Sequence, residues 1–407
     1  MSTVAILCEY NPFHSGHQYQ INKIREEFGQ DTVIIALMSG NFTQRGELAF
    51  ADKYLRARCA VECGVSLCLE LPFPFSMASA ELFALAGVRI LNSLGTVDYI
   101  SFGSECGDVS LLERAADAMY SPEYERTLSA LLNSKESKDV GYPKLCEQAL
   151  ATIMRDGDNI PKMSPNNILA LEYIKALRAT GSTIKPHTIM RVGAAYDAKK
   201  IEPKMHQSAT AIRSEIARGD ISAVEYMPNL AKNIILDAIN QGDAPCRESS
   251  LSSAVISHFR LNSPSDPEDI HDVGGGLYNR LKAKSFEANT ITDLVRLAQT
   301  KKYTSARIRR SIWYSFFGVT SSEIKEAPAY TSLLATDSIG RDELKKIKKA
   351  TGFPIITKPS ATDDLPEGAR LQKSRSDRAD SVFQLTKPIQ PSGSFALKAT
   401  PYVKGRD

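Results

Sequence analysis

Over the first hundred residues, short apolar runs alternate with longer segments that carry apolar residues at helical spacing. Val4–Cys8, Val33–Met38, Val65–Leu71 and Val97–Phe102 are dense in Val, Ile and Leu. Such runs predict strands buried on both faces. Between them, residues 16–28, 51–63 and 78–94 repeat apolar positions every three or four residues and predict helices, with Gly95 as a C-cap. Strand–helix–strand repeated in this way predicts a doubly wound parallel sheet, an α/β Rossmann-like domain.

From about 108 to 182 the pattern is helical, in "LLERAADAMY", "YERTLSALLNS" and "NNILALEYIKAL". Strand character returns in "IKPHTIMRV" (184–192), so these helices are read as an insertion between strands of one sheet, not as a separate domain. "SATAIRSEIARGD" (208–220) opens another helix. Beyond about 225 the chain is mostly helical, ending in a small strand–helix–strand element, "YTSLLATD", "GRDELKKIKKATG" and "FPIITK". After about 358 the chain is rich in Pro, Ser and Asp with weak periodicity, which predicts loop. The expected organisation is a catalytic-type domain over 1–225 and a mainly helical region over 226–407.

A length of 407 residues suits two or three domains, and 43% hydrophobic with 24% charged residues suits a water-soluble globular protein. No apolar run approaches the ~20 residues of a membrane span. The first apolar run has no basic segment before it and is read as a strand rather than a signal peptide, so a cytoplasmic location is expected. Seven cysteines without a CxxC pair are read as reduced, mostly buried thiols, and no four-ligand zinc site can be assembled from them. Charge is unevenly spread. His271–Lys358 holds 16 Lys and Arg against 8 Asp and Glu, leaving −5 for the rest of a chain whose total is +3. A basic C-terminal third suits a polyanionic partner.

The chemistry concentrates at strand ends. His14-Ser15-Gly16-His17 follows the first strand and opens a helix. Paired histidines suggest a metal, but a third ligand is missing nearby. A glycine turn at a helix N-terminus suits phosphate, with two imidazoles as donors. Ser208, Thr210 and Arg213 open the helix at 208–220; Ser or Thr there can simply cap it, while Arg213 can reach a phosphate. Gln44, Arg45, Lys53 and Arg56 in "MSGNFTQRGELAFADKYLRARCA" are candidates to face the same edge. "ELPFPFSMASAE" (70–81) is a candidate wall for an acceptor pocket. Gly103 lets a nucleotide lie against the backbone. Asn166 and Asn167 either cap a helix or read a nucleotide, and Arg191 closes a strand.

H-x-G-H with a distant S-x-x-x-x-R resembles the paired fingerprint of the nucleotidylyltransferase superfamily. More specifically, "EYNPFHSGH", "MSGNFTQRGE", "ELPF", "FGSE", "PNNILALEY", "RVGAAY" and "SATAIR" occur in the order found in the bacterial tRNA(Met) cytidine acetate ligases. "LYNRLKAKSFEANTITDLVRLAQTKKYTSARIRRSI" and "LKKIKKATGFPIITK" extend the resemblance, which spans about residues 3 to 358. It implies that acetate is activated with ATP to acetyl-adenylate. The acetyl group then passes to N4 of the wobble cytidine of elongator tRNA(Met). By the same resemblance, His14 and His17 stabilise the transferring phosphate, and Ser208, Thr210 and Arg213 meet the pyrophosphate. ATP would be held by Leu7, Cys8, Glu9, Tyr10, Asn11, Pro12, Phe13, His14, Ser15, Gly16, His17, Gln18, Tyr19 and Gln20, with Gly103, Asn166, Asn167, Arg191 and Val192. Magnesium would arrive on ATP's phosphates without a protein metal site.

In the basic third, Lys301, Lys302, Arg307, Arg309 and Arg310 are candidates for tRNA phosphate contact, with Tyr303, Trp313 and Tyr314 as the aromatics of the same stretch and Trp313 read as core. Two other functions fit parts of the pattern. A small-molecule nucleotidylyltransferase would not need the 180 or so residues, with their basic excess, that follow the first domain. A non-catalytic RNA-binding protein would not need both halves of the fingerprint.

Overall fold

The computed structural model describes residues 1–134, 140–154, 160–191, 208–262, 267–360, 362–392, 394 and 398–406. Its centre is a parallel array of β1 (Thr3–Cys8), β2 (Val33–Ser39), β3 (Leu67–Leu71), β4 (Tyr99–Ser104) and β5 (Lys185–Met190), in spatial order β5-β4-β1-β2-β3. The chain winds outward through β2 and β3, then returns to place β4 and β5 on the other side of β1. The order therefore reverses between β1 and β4, and the crevice at their carboxyl ends is where open α/β sheets take ligands.

The crossovers are α1 (Ser15–Phe28), α2 (Lys53–Glu62) and α3 (Ala80–Leu94), the last closed by Gly95 in the left-handed conformation. Alternate residues of β1 feed opposite cores. Val4 and Ile6 join Ile21 and Ile24 of α1 and Ala57 and Ala60 of α2. Ala5 and Leu7 join the layer that holds Phe83, Ala84 and Val88 of α3. Both faces being covered explains the unbroken apolar runs.

Between β4 and β5 lie α4 (Val109–Met119), α5 (Pro122–Asn133), α6 (Tyr142–Ile153) and α7 (Pro165–Ala179), followed after β5 by α8 (Ala209–Ala217). The next helices are α9 (Asn229–Gln241), α10 (Ser252–Leu261), α11 (Leu277–Ser285), α12 (Ile291–Ala298), α13 (Ser305–Phe317) and α14 (Ser321–Lys325). All seven cysteines are unpaired.

The sheet crosses the boundary expected at 225/226. β6 (Thr331–Thr336) lies antiparallel on β3, and β7 (Ile355–Ile356) and β8 (Tyr402–Val403) both run parallel to β6. The small C-terminal α/β element, with α15 (Ser338–Ala350), is thus the far edge of the first domain's own sheet.

The loop expected after 358 contains the longest described helix, α16 (Glu367–Gln384). Its inward face is Ala369, Gln372, Lys373, Ser376, Ala379, Asp380 and Phe383. These residues recur at helical spacing, but most are polar, so hydrophobic periodicity does not reveal the helix. Their polar atoms are matched inside: Ser376 donates to Phe73 O at 2.9 Å, and Asp380 meets Lys53 Nζ at 2.6 Å.

Candidate active site

Local hydrogen bonding determines what the two histidines present. His14 is the N-cap of α1, and its Nδ1 accepts the Gly16 N–H at 3.0 Å. His17 reaches back, its Nδ1 accepting the His14 N–H at 3.1 Å. This is a capping box built from two imidazoles instead of Ser and Glu. A backbone N–H can only donate, so each Nδ1 is a bare acceptor and each neutral ring carries its hydrogen on Nε2. The rings stack at 3.8 Å between centroids. Burial, with smaller contributions from His14 and Arg191, pushes His17 well below its ordinary value and keeps it neutral. Tyr10 and Phe13 pack edge-on to each other at 4.9 Å behind the pair, with Tyr10 held at a φ of 45°.

The turns after β1 and β2 are pinned by Arg56. It is buried and donates to Glu9 O at 2.5 Å, Gly40 O at 2.5 Å and Ser39 O at 3.2 Å. Lys53 is buried too, its Nζ at 2.7 Å from Glu70 and 2.6 Å from Asp380. Neither cation faces the site as the sequence suggests; their partners lie inside the fold. Gln44 and Arg45 do line the cavity. They sit on a hairpin tip closed by the Phe42–Leu48 bridge. At that tip Gly46 has a φ of +73°, and a Cβ there would lie 2.6 Å from Arg310 N. Its carbonyl accepts the Nε1–H of Trp313 at 3.0 Å, so α13 seats the hairpin.

Arg213, one turn into α8, donates to Asn11 O at 2.6 Å and pairs with Glu47 at 2.7 Å. Ser208 caps α8, its Oγ accepting the Ala211 N–H. Across the crevice, Arg191 lies over Gly103, where a Cβ would approach its Cγ to 3.1 Å. Asn166 faces the cavity and donates to Glu105 at 2.6 Å. Asn167 is buried instead; its Oδ1 accepts the Glu105 N–H at 2.9 Å and so shapes the turn after β4.

One cavity of about 410 Å³ gathers these groups. Leu7, Cys8, Glu9, Tyr10, His14, His17, Gln20, Gly103, Asn166, Arg191, Ser208, Thr210 and Arg213 all line it. Asn11, Pro12, Phe13, Ser15, Gly16, Gln18 and Tyr19 are not part of its wall, and Val192 lies outside the described residues. Segment 70–81 does not wall it either. Phe73, Phe75 and Met77 are core residues, and Phe83 is the aromatic that arrives, beside Phe102 and Tyr173. Glu47, Val295 and Ser305 also line it, and no motif in the sequence marks them as site residues. Glu47 stood in a turn rich in charge; Val295 and Ser305 lie on helices far along the chain and carry no local sign. Among the described residues, no group of three or more His, Cys, Asp or Glu could hold a metal ion.

The expected basic row is largely tied down. Arg307 and Arg310 share Asp272 at 3.1 and 2.9 Å, and Arg309, which also lines the cavity, meets Glu248 at 2.6 Å. These pairs fasten α13 to segments distant in sequence. Lys301 and Lys302 remain on the surface, Lys302 donating to Gly275 O at 3.2 Å. Trp313 is in the core, as expected. No helix among the described residues is long and apolar enough to cross a membrane.

The chain matches the family model HIGH Nucleotidyl Transferase over residues 1–394. It is 36% identical to the tRNA(Met) cytidine acetate ligase of Caldanaerobacter subterraneus subsp. tengcongensis over 91% of this chain and 92% of that one. It is 34% identical to the enzyme of the same name from Thermosipho africanus over 98% and 95%. The apo crystal structure of Thermotoga maritima TmcAL superposes with a TM-score of 0.89 at 30% identity, over 99% of both chains. The same protein bound with alpha-thio ATP gives 0.87 over the same shares. A parallel sheet with a two-histidine cap at its switch point and Arg213 across the crevice thus belongs to the HIGH nucleotidyl transferases, and within them this chain is a member of the tRNA(Met) cytidine acetate ligase family.

Proposed function

We propose that the protein is an ATP-dependent ligase that acetylates N4 of the wobble cytidine in elongator tRNA(Met). In the first step an acetate oxygen attacks the α-phosphorus of ATP. The bond to the β-phosphate bridging oxygen breaks, and acetyl-adenylate and pyrophosphate form. In the second, N4 of the cytidine attacks the acetyl carbon and AMP departs. The observation that carries this reading is the pair of Nε2–H donors set by the His14–His17 cap on the cavity wall that Arg213 also lines. Such donors, fixed before the substrate arrives, stabilise charge that grows on the phosphate oxygens.

ATP's phosphates would lie between the imidazoles and Arg213, exchanging Glu47 for pyrophosphate as the partner of the guanidinium. Ser208 and Thr210 would line that end, and Gly103, Asn166 and Arg191 the nucleoside end. Magnesium would enter with the phosphates. The tRNA would approach over the basic C-terminal third, with Lys301 and Lys302 as its outward phosphate contacts. Free ATP and tRNA imply a cytoplasmic setting. Incubation with ATP, labelled acetate and unmodified tRNA(Met), followed by nucleoside analysis, tests the reading. Label in N4-acetylcytidine is the expected result; folded, ATP-binding protein that leaves the tRNA unlabelled refutes it.

A further inference from the structure

We propose that Glu9 is the general base of the second step, taking the proton that N4 of the cytidine loses as it bonds to the acetyl carbon. This rests on the acetate-ligase reading, because an amine acceptor is what creates the proton. The first step creates none: acetate is already an anion at neutral pH.

The cavity offers few proton acceptors. Both histidines are excluded by the cap, since each Nδ1 is occupied by a backbone N–H and each Nε2 already carries a hydrogen. The arginines remain protonated. Burial raises the Cys8 thiol and the Tyr10 phenol well above their ordinary values, so both keep their protons. Two carboxylates line the cavity among the described residues, Glu9 and Glu47. Glu47 has its Oε2 on the Arg213 guanidinium at 2.7 Å, a partner it regains when pyrophosphate leaves before the second step, so that oxygen is already engaged.

Glu9 differs in each respect. Its Oε1 accepts the Gln44 N–H at 3.0 Å, which orients the group, and Oε2 has no hydrogen-bond donor among the described residues. It directly follows β1, five residues before the first histidine, and lines the same cavity as both rings. Charged and polar groups meet it from every side. Gln44, Arg45 and Glu47 come from the hairpin and Arg213 from α8, while Arg56 of α2 holds its carbonyl. Burial outweighs the Gln44 hydrogen bond and the Arg213 charge, raising the carboxyl above its ordinary value and making its anion a stronger base.

The step balances. The N4 lone pair forms the C–N bond, and the acetyl carbonyl becomes an oxyanion and then re-forms. The C–O bond to AMP breaks, its electrons leave on the phosphate, and the N4 proton moves to Glu9 Oε2 and from there to water.

The test uses full-length enzyme with acetyl-adenylate formed in place, then mixed rapidly with tRNA(Met). Glu9→Gln preserves the acceptor for the Gln44 N–H. It is expected to slow acetyl transfer by about 10²–10⁴-fold while acetate-dependent pyrophosphate exchange falls far less. Wild-type transfer should rise with pH through the titration of Glu9 and level off; Glu9→Gln should lose that limb, and Glu9→Asp should keep it at a lower rate. Transfer by Glu9→Gln at the wild-type rate, an equal fall in both steps, or a surviving acidic limb overturns the assignment. Absence of transfer by the wild-type enzyme instead overturns the acetate-ligase reading, and the role of Glu9 with it.

Discussion

The backbone N–H of His14 donates to Nδ1 of His17 at 3.1 Å, so the second histidine helps to cap the helix that the first one starts. Structure and chemistry are therefore divided between opposite nitrogens of the same rings, Nδ1 accepting from the backbone cap and Nε2–H the donor of a ring that lines the cavity.

That division can be separated by substitution. Asn is a good N-cap whose Oδ1 can replace Nδ1, but it offers nothing where Nε2–H points. His14→Asn should keep thermal stability near wild type and lose most adenylate formation. His14→Ala should lose the cap as well, at a cost of about 0.5–2 kcal/mol. Paired denaturant melts and pyrophosphate-exchange rates check this.

His17 also predicts how stability responds to acid. Its native value lies below the ordinary 6.5, so as pH falls the unfolded chain takes up the proton first. The contribution is fully present above the unfolded value and is lost as pH drops below it. His258 and His271 are lowered by burial in the same direction, so the measurement is a difference. Between about pH 7 and 5, His17→Asn should lose less stability in urea melts than wild type.

The Lys53 ion pairs predict a large structural effect. Lys53 sits between Glu70 and Asp380 with all three buried. Asn41 joins them, donating to Asp380 at 2.8 Å while accepting the Lys53 N–H at 2.9 Å. Removing the one cation leaves two buried carboxylates facing each other. Lys53→Met should cost about 3–5 kcal/mol in urea unfolding. Because Asn41 lies in the segment that leads into the hairpin, the variant should also weaken ATP binding, read by calorimetry.

The basic third should divide into two kinds of residue. Arg310→Ala removes a partner of Asp272 and should lower the melting temperature with little change in tRNA affinity. Lys301→Glu with Lys302→Glu should weaken tRNA binding and flatten its salt dependence, with a smaller stability loss than Arg310→Ala. Binding titrations at several salt concentrations distinguish the two.

The parallel strands and their crossovers were legible because both faces of the sheet are covered, which leaves dense apolar runs. His14, His17, Gly103 and Arg191 were legible because they stand at strand ends near the switch point. What was hidden depended on partners distant in the chain. Glu248 and Asp272 neutralise arginines that read as an open patch. Asp380 and Glu70 bury a lysine that reads as facing the site. α16 leaves no hydrophobic periodicity because Gln, Lys, Ser and Asp make up most of its inward face.

On the proposed function, acetate is adenylylated in this cavity before any RNA is involved. Exchange of labelled pyrophosphate into ATP by the full-length enzyme without tRNA tests it most directly. Exchange that requires acetate, and that Arg213→Ala and His17→Asn abolish, is the predicted result. Exchange independent of acetate, or undiminished in either variant, would contradict it.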